Sequence, residues 1–250
     1  KQMKVLVVGA SGASGATGKQ LVEQLIIKGI TVKAVVKSVE KLPESWKNNK
    51  QIELIVASIL ELSDEEVMEL IFDCQSIASC LGHNLTWKGI YGKPRRLVTD
   101  AAKKLCNAVE ANKPDSPVKY VLMNTTGNRN RDINEPTSVL QKCVIVLIRL
   151  ILPPHVDNEQ AADYLRIKRG QNNQFIEWTA VRPDGLINEE EVTDYEIHPS
   201  PTRSAIFNAG KVSRINVGHF MARLINETEL WKKWKGQMPV IYNKSSLIKK

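Results

Sequence analysis

Apolar residues fall along this chain in two alternating patterns. Short runs without polar alternation, rich in β-branched residues, occur at 4–8, 31–36, 52–56, 76–81, 118–123 and 175–181, with a last one at 239–242. Between them the spacing is helical. Leu21, Val22, Leu25 and Ile26 share one face of the stretch 17–28, and similar faces recur over 63–72, 95–111, 139–152, 158–169 and 213–226. The punctuation agrees. Gly29 stops the first helix, Ser63 and Glu66 form a capping box, and Gly170 with Asn172-Asn173 ends the fifth helix.

Strands buried on both faces and separated by helices predict a parallel sheet covered on both sides. With right-handed crossovers this is an α/β, doubly wound Rossmann-type fold. The 250 residues fit a single domain, 1–250. The stretch 184–212 breaks the alternation and carries Pro199 and Pro201, so it predicts a small C-terminal substrate-side lobe within that domain. Ligands of such folds lie at the carboxyl ends of the strands. The segments to inspect therefore begin at Gly9, Lys37, Ser58, Gly82, Asn124 and Pro183.

The first of these is the richest. The opening strand runs into Gly9-Ala10-Ser11-Gly12-Ala13-Ser14-Gly15-Ala16-Thr17-Gly18, and a helix follows. Glycines let backbone approach a pyrophosphate, while the free amides and dipole of a helix start attract it. Ser11, Ser14 and Thr17 add hydroxyls. The second segment selects the nucleotide. An NAD site places an acid after strand two to bond the ribose, whereas here Lys37, Ser38 and Lys41 stand there, which favours a 2′-phosphate and hence NADP(H). Glu40 keeps NAD(H) as the alternative.

Composition narrows the classes further. The net charge is +8, but the lysines are scattered, and no long basic block interleaved with aromatics points to nucleic acid. Attraction for phosphate-bearing small molecules is the simpler reading. Cys74, Cys80, Cys106 and Cys143 match no zinc or redox spacing, and Cys80 and Cys143 read as small core hydrophobes. Dispersed histidines give a metal site no support. No leader is expected before the first strand, and the most apolar stretch, Cys143 to Leu152, is too short to span a bilayer. A cytoplasmic protein, monomer or homodimer, is expected. The apolar helix 139–152 reads as a buried element, with a subunit interface or a lid over substrate as alternatives.

The string Gly12 to Lys19, with Trp178-Thr179-Ala180-Val181-Arg182-Pro183 and Arg214 to Met221, resembles the atypical short-chain dehydrogenase/reductase group, including its NmrA-like and flavin-reductase-like members. The resemblance covers Lys4 to about Ile225. The glycine loop departs from the family by an extra Ala-Ser-Gly triplet, so two glycine registers fit. Asn216 stands where the family has an Asp. The resemblance implies that Ser58 and Ile59 meet the adenine in place of the usual Asp, and that Leu81 and Gly82 run beneath the cofactor. Pro183, Asp184 and Leu186 would close over the nicotinamide.

The group's catalytic Tyr-x-x-x-Lys pair is matched by Tyr164 and Lys168 in spelling only, because the helix ends at Gly170. In that alignment the pair falls on or near His155 and Glu159. Thr125 and Thr126 are the candidates to orient a substrate, and His155 to supply a proton near neutral pH; packing of His155 against Pro153-Pro154 is the alternative. His83, Asn84 and Trp87 are expected at the nicotinamide end, with Trp87 and Tyr91 either stacking on a planar substrate or covering the core edge. Two functions follow: an NADP(H)-dependent reductase of a small, largely apolar or aromatic acceptor, or a non-catalytic NADP(H)-binding sensor or assembly factor acting through a protein partner.

Overall fold

The uninterrupted apolar runs do pair into one sheet. In the computed structural model, which describes residues 2–11, 16–40, 42–84 and 86–244, the first half of the chain gives β1 (Lys4–Val8), α1 (Ala16–Ile27), β2 (Thr31–Val36), α2 (Glu44–Lys47), β3 (Ile52–Val56), α3 (Asp64–Ile71), β4 (Ser76–Ser79), α4 (Trp87–Tyr91), α5 (Leu97–Asn112) and β5 (Val118–Met123). The second half gives α6 (Val139–Ile151), α7 (Pro153–Asp163), a π-helical turn (Tyr164–Arg169), β6 (Ile176–Pro183), β7 (Gly185–Ile187), β8 (Tyr195–His198), β9 (Lys211–Ser213), α8 (Arg214–Asn226), α9 (Thr228–Trp234) and β10 (Val240–Asn243). The sheet order is β3-β2-β1-β4-β5-β6-β10-β8. All its pairings are parallel except that of β10 with β8. The order reverses between β1 and β4, which opens the ligand crevice of a doubly wound sheet there.

Both faces are covered. Leu21, Val22 and Leu25 of α1 pack with Val217, Phe220 and Leu224 of α8 on one face. Val67 of α3, Val98 and Leu105 of α5, and Ala161 of α7 cover the other. Val5, Leu6 and Val7 of β1 are wholly buried between the layers, and each such side chain stabilises the fold by about 1.5–3 kcal/mol. The predicted punctuation forms as expected. Gly29 (φ +75°) ends α1, with Gly29 N donating to Ile26 O and Ile30 N to Leu25 O, the paired bonds of a left-handed helix stop. Ser63 and Glu66 bond each other's backbone amides at the start of α3.

The stretch 184–212 lies within the single domain and holds β7, β8 and the start of β9. β7 pairs with β9 in a small parallel ribbon, while β8 joins the edge of the main sheet beside β10. The helix 158–169 also begins earlier than its pattern suggests. It starts at Pro153, a residue suited to a first helical turn, and its last turn winds into a π-helix.

The largest departure is α6. None of its residues is buried, and Val139, Leu140, Leu150 and Ile151 are more than half exposed. The expectation of a buried helix is therefore wrong, and so is that of a core position for Cys143, which is exposed. The cause is geometric. α6 meets the α7 segment at 106°, so it leans over the strand ends instead of lying along the sheet. Cys74, Cys80 and Cys106 are buried, and burial pushes each of these thiols up to about 12, which leaves them unreactive. Among the described residues no single helix is long and apolar enough to cross a membrane.

Arg182, at the end of β6, ties these parts together. Its side chain is fully buried, and all five of its N–H donors are used. Nε donates to Met238 O at 2.7 Å. Nη1 donates to Asn128 O and to Glu135 Oε2, and Nη2 to Glu135 Oε1 and Pro199 O. One guanidinium thus holds the loop after β5, the approach to β10 and the end of β8. We expect Glu135→Ala to lower unfolding free energy by about 3–5 kcal/mol, because it strands a buried cation. Urea denaturation measures this, and a loss below about 1 kcal/mol would contradict it.

Candidate functional site

Two features converge at the crevice beside β1 and β4. Gly9 has φ +83°, and a Cβ there would stand 2.6 Å from the Cys80 carbonyl carbon. Gly18 lies in the first turn of α1, where a Cβ would stand 2.3 Å from Gly9 O. These two glycines therefore let strand, helix and the end of β4 touch backbone to backbone. They fix both ends of the loop. Gly12, Ser14 and Gly15, which include the middle glycines of both candidate registers, lie outside the described residues, as does Lys41. α1 carries no acidic residue in its first turn, so nothing there opposes an anion at its amide end.

Ser11 links this loop to the next strand. Its hydroxyl accepts the amide of Lys37 at 3.1 Å. Lys37 and Ser38, just beyond β2, are exposed, and Ser38 Oγ accepts Glu40 N. Beyond β3, Ser58 is half-buried and Ile59 is buried. Leu81 and Gly82 are half-buried at the end of β4. Ala16 is half-buried, whereas the Thr17 side chain is buried and is thus withheld from the loop. The described ones among these positions follow the carboxyl ends of β1, β2, β3 and β4, which are neighbours in the sheet.

The second half of the site is a cavity at the carboxyl ends of β5 and β6. Its larger chamber, about 520 Å³, lies between the loop after β5, α6 and residues 201–204. A smaller chamber of about 140 Å³ shares Thr126, Gly127, Gln141 and Ile145 with it, and adds Thr125, His155 and Asp184. All three predicted catalytic candidates thus face one space. Thr125 Oγ1 accepts the amide of Gly127 at 3.2 Å, which leaves its hydroxyl proton available to a ligand. Thr126 Oγ1 donates to Asp184 at 3.0 Å, so it offers only lone pairs. Asp184 also accepts Gly210 N at 2.7 Å. Burial raises the Asp184 carboxyl above its ordinary range, although these bonds oppose the shift.

His155 sits in the first turn of α7, with its Nε2 3.5 Å from Glu159 Oε1. That nitrogen is buried without a hydrogen-bond partner among the described residues. Glu159 accepts both Nε and Nη2 of Arg149, each at 2.8 Å. Burial raises the Glu159 pKa, but His155 and Arg149 outweigh it and hold the carboxyl at about 2.

Other predicted residues stand off the cavity. His83 Nε2 is 2.7 Å from Asp157, and the imidazole is nearly enclosed. Asp157 also accepts the amides of Val98 and Thr99 in the first turn of α5. His83 therefore anchors the loop after β4 to a helix start. Asn84 and Trp87 are exposed, and the Trp87 ring lies 4.6 Å from that of Tyr91. Leu186 packs against the core beside α1 and α8, while Pro183 is buried at the end of β6. The Tyr164 hydroxyl is buried without a hydrogen-bond partner among the described residues, within the core beneath α5, and burial holds its pKa well above a phenol's ordinary value. Lys168 is exposed. Tyr164 and Lys168 line neither chamber.

The sequence reading overlooked the cavity's cations, Arg129, Arg131, Lys142, Arg149 and Arg203. The alternation of Arg129 and Arg131 with asparagines just after β5 was the one local signal. The others converge only through α6 and the segment 201–204.

A doubly wound sheet, glycine-clamped at its first turn and open at the reversal of strand order, defines a dinucleotide-binding protein. A family described as NAD(P)H-binding matches residues 12–228, and the chain belongs to that family. It is 29% identical over 212 residues to an uncharacterized chloroplastic protein of Arabidopsis thaliana, covering 81% of this chain. The match spans 66% of that relative, just under two thirds of its length. A short-chain dehydrogenase/reductase of Veillonella parvula in complex with NADP shares the fold, with TM-score 0.67, 15% identity and coverage of 98% and 96% of the two chains. The oxidoreductase ylbE of Lactococcus lactis does so with TM-score 0.64, 18% identity and coverage of 96% and 91%.

The charge on Glu159 gives a pH test. Its folded pKa of about 2 lies below the ordinary 4.5, so ionised Glu159 stabilises the fold above pH 4.5. That contribution is lost as pH falls from 4.5 towards 2. The stability gap between the parent and Glu159→Gln should be widest near neutral pH and narrow below pH ~4. A gap that is constant with pH would remove Glu159 from the charged network.

Proposed function

We propose that this protein is an NADP(H)-dependent oxidoreductase that reduces a small acceptor held beneath α6. The observation that carries the reading is the joined cavity, in which Thr125, Thr126, His155 and Asp184 meet beside the strand ends that border the dinucleotide crevice. When bound, the cofactor supplies hydride from its nicotinamide. The residues from Gly9 to Gly18, with Ser11, would hold its pyrophosphate, and Lys37 with Ser38 the ribose phosphate. Ser58, Ile59, Leu81, Gly82 and Pro183 would line the rest of the crevice.

On the acceptor side, Thr125 donates a hydrogen bond to an acceptor oxygen or nitrogen and fixes its orientation. Such positioning lowers the barrier without a covalent step. His155, next to the ionised Glu159, supplies a proton to the reduced acceptor. α6 and the segment 201–204 limit water at the cavity.

A second reading has its own support. Tyr164 and Lys168 are absent from the cavity, and α6 displays an apolar outer surface. Both fit a non-catalytic NADP(H) sensor acting through a protein partner. NADPH oxidation with a panel of quinones and flavins separates the two. Turnover by the parent, reduced about tenfold in kcat/KM by Thr125→Val, supports the reductase, since one lost hydrogen bond in the transition state is worth about 1.4 kcal/mol. Tight NADPH binding with no turnover on any acceptor supports the sensor.

Lys37→Asp should weaken NADPH binding about tenfold or more while leaving NADH affinity within about threefold, because an acid repels the extra phosphate at short range. Calorimetric titration measures both. Equal NADPH affinity in the parent and the variant would overturn the ribose-phosphate assignment.

A further inference from the structure

The larger chamber holds more positive charge than its own carboxylates neutralise. Arg129, Arg131, Lys142, Arg149 and Arg203 line it, against Glu135 and Glu159. Both glutamates are already engaged, Glu135 by Arg182 and Glu159 by Arg149. Arg131 is bound to Asp163. Among the described residues Arg129 and Lys142 make no ion pair, and Arg203 makes none at contact distance, though its charge acts on the Asp184 carboxylate of the smaller chamber. The Arg129 Nε is also buried with no hydrogen-bond partner among the described residues, an arrangement that costs free energy unless a ligand completes it. α6 brings two apolar residues to the wall, Ile145 and Val146, beside its polar Gln141, Lys142 and Arg149, and Pro136 lies nearby.

From this geometry we infer that the chamber is an anion-recognition site for a small organic phosphate or carboxylate. Arg129, Lys142 and Arg203 hold the charged group, and its apolar or aromatic body lies along Ile145, Val146 and Pro136. A guanidinium pairs with the two oxygens of either group, while an ammonium acts as a point charge. The smaller chamber shares Thr126 and Gly127 with this one, so a ligand anchored by its anion extends its other end towards Thr125 and His155. Calling that ligand the hydride acceptor rests on the reductase reading; the anion site itself does not.

Phenyl phosphate, benzoate and benzyl alcohol test the site by calorimetric titration of the full chain without cofactor, at low salt. Phenyl phosphate or benzoate should bind at least tenfold more tightly than benzyl alcohol, and the stronger of the two identifies the anion. Lys142→Gln and Arg203→Gln, at exposed positions that folding does not need, should each cut that affinity threefold or more and together about tenfold. Lys37→Ala should leave it unchanged. Three results would overturn the assignment: no preference for the anions, unchanged binding in the double variant, or loss caused by Lys37→Ala alone, which would put the anion in the dinucleotide crevice. Failure of NADPH oxidation with any acceptor, alongside anion binding sensitive to Lys142 and Arg203, would sink the reductase reading and leave the site standing.

Discussion

A single buried guanidinium organises the end of the sheet where the chemistry is proposed. Arg182 sits near the end of β6 and spends every donor it has on three separate segments. A lysine could not replace it, because a point charge on a flexible stem lacks the planar fork. The paired Glu135 lines the larger chamber, so the same contact that closes the core also shapes the cavity wall. Burying such a pair is not in itself a strong source of stability, since desolvation offsets most of the attraction. Its value here is positional. It fixes the loop after β5, which presents Thr125, Thr126 and Arg129.

Around that anchor, carboxylates are consistently consumed by structure. Asp157 closes the start of α5, Asp184 receives Thr126 and Gly210, and Glu159 is held by Arg149. The cations are spent less completely. Both ends of the site, the amide end of α1 and the chamber under α6, therefore lean positive. The net charge of +8 is in part the sum of such local choices rather than a feature of one basic face.

The sequence made the parallel sheet and most of its helices readable, because strands buried on both faces leave an unmistakable apolar record. The same record misled at α6. An apolar run predicts burial only if something lies over it, and the bend at Pro153 turns this helix away from the layers that would have covered it. Cys143 went wrong with it. The short elements β7, β8, β9 and α9 left no pattern long enough to read. Thr125, Thr126 and His155 could be placed near one another from sequence because a strand or helix end fixes each position, whereas Lys142 and Arg203 come from distant segments that only the fold brings together. His83 shows the opposite error: its position after β4 was right, but its ring is committed to Asp157.

The clamp made by Gly9 and Gly18 has an evolutionary consequence. Because strand, helix and β4 meet backbone to backbone at those two points, the span between them is free to change length without disturbing the frame. In flexible chains the closure cost grows only logarithmically, about 0.6 kcal/mol for each doubling of length. The extra Ala-Ser-Gly triplet is thus an inexpensive experiment in phosphate-loop shape, one that a fold relying on side chains at that crossing would have little freedom to make.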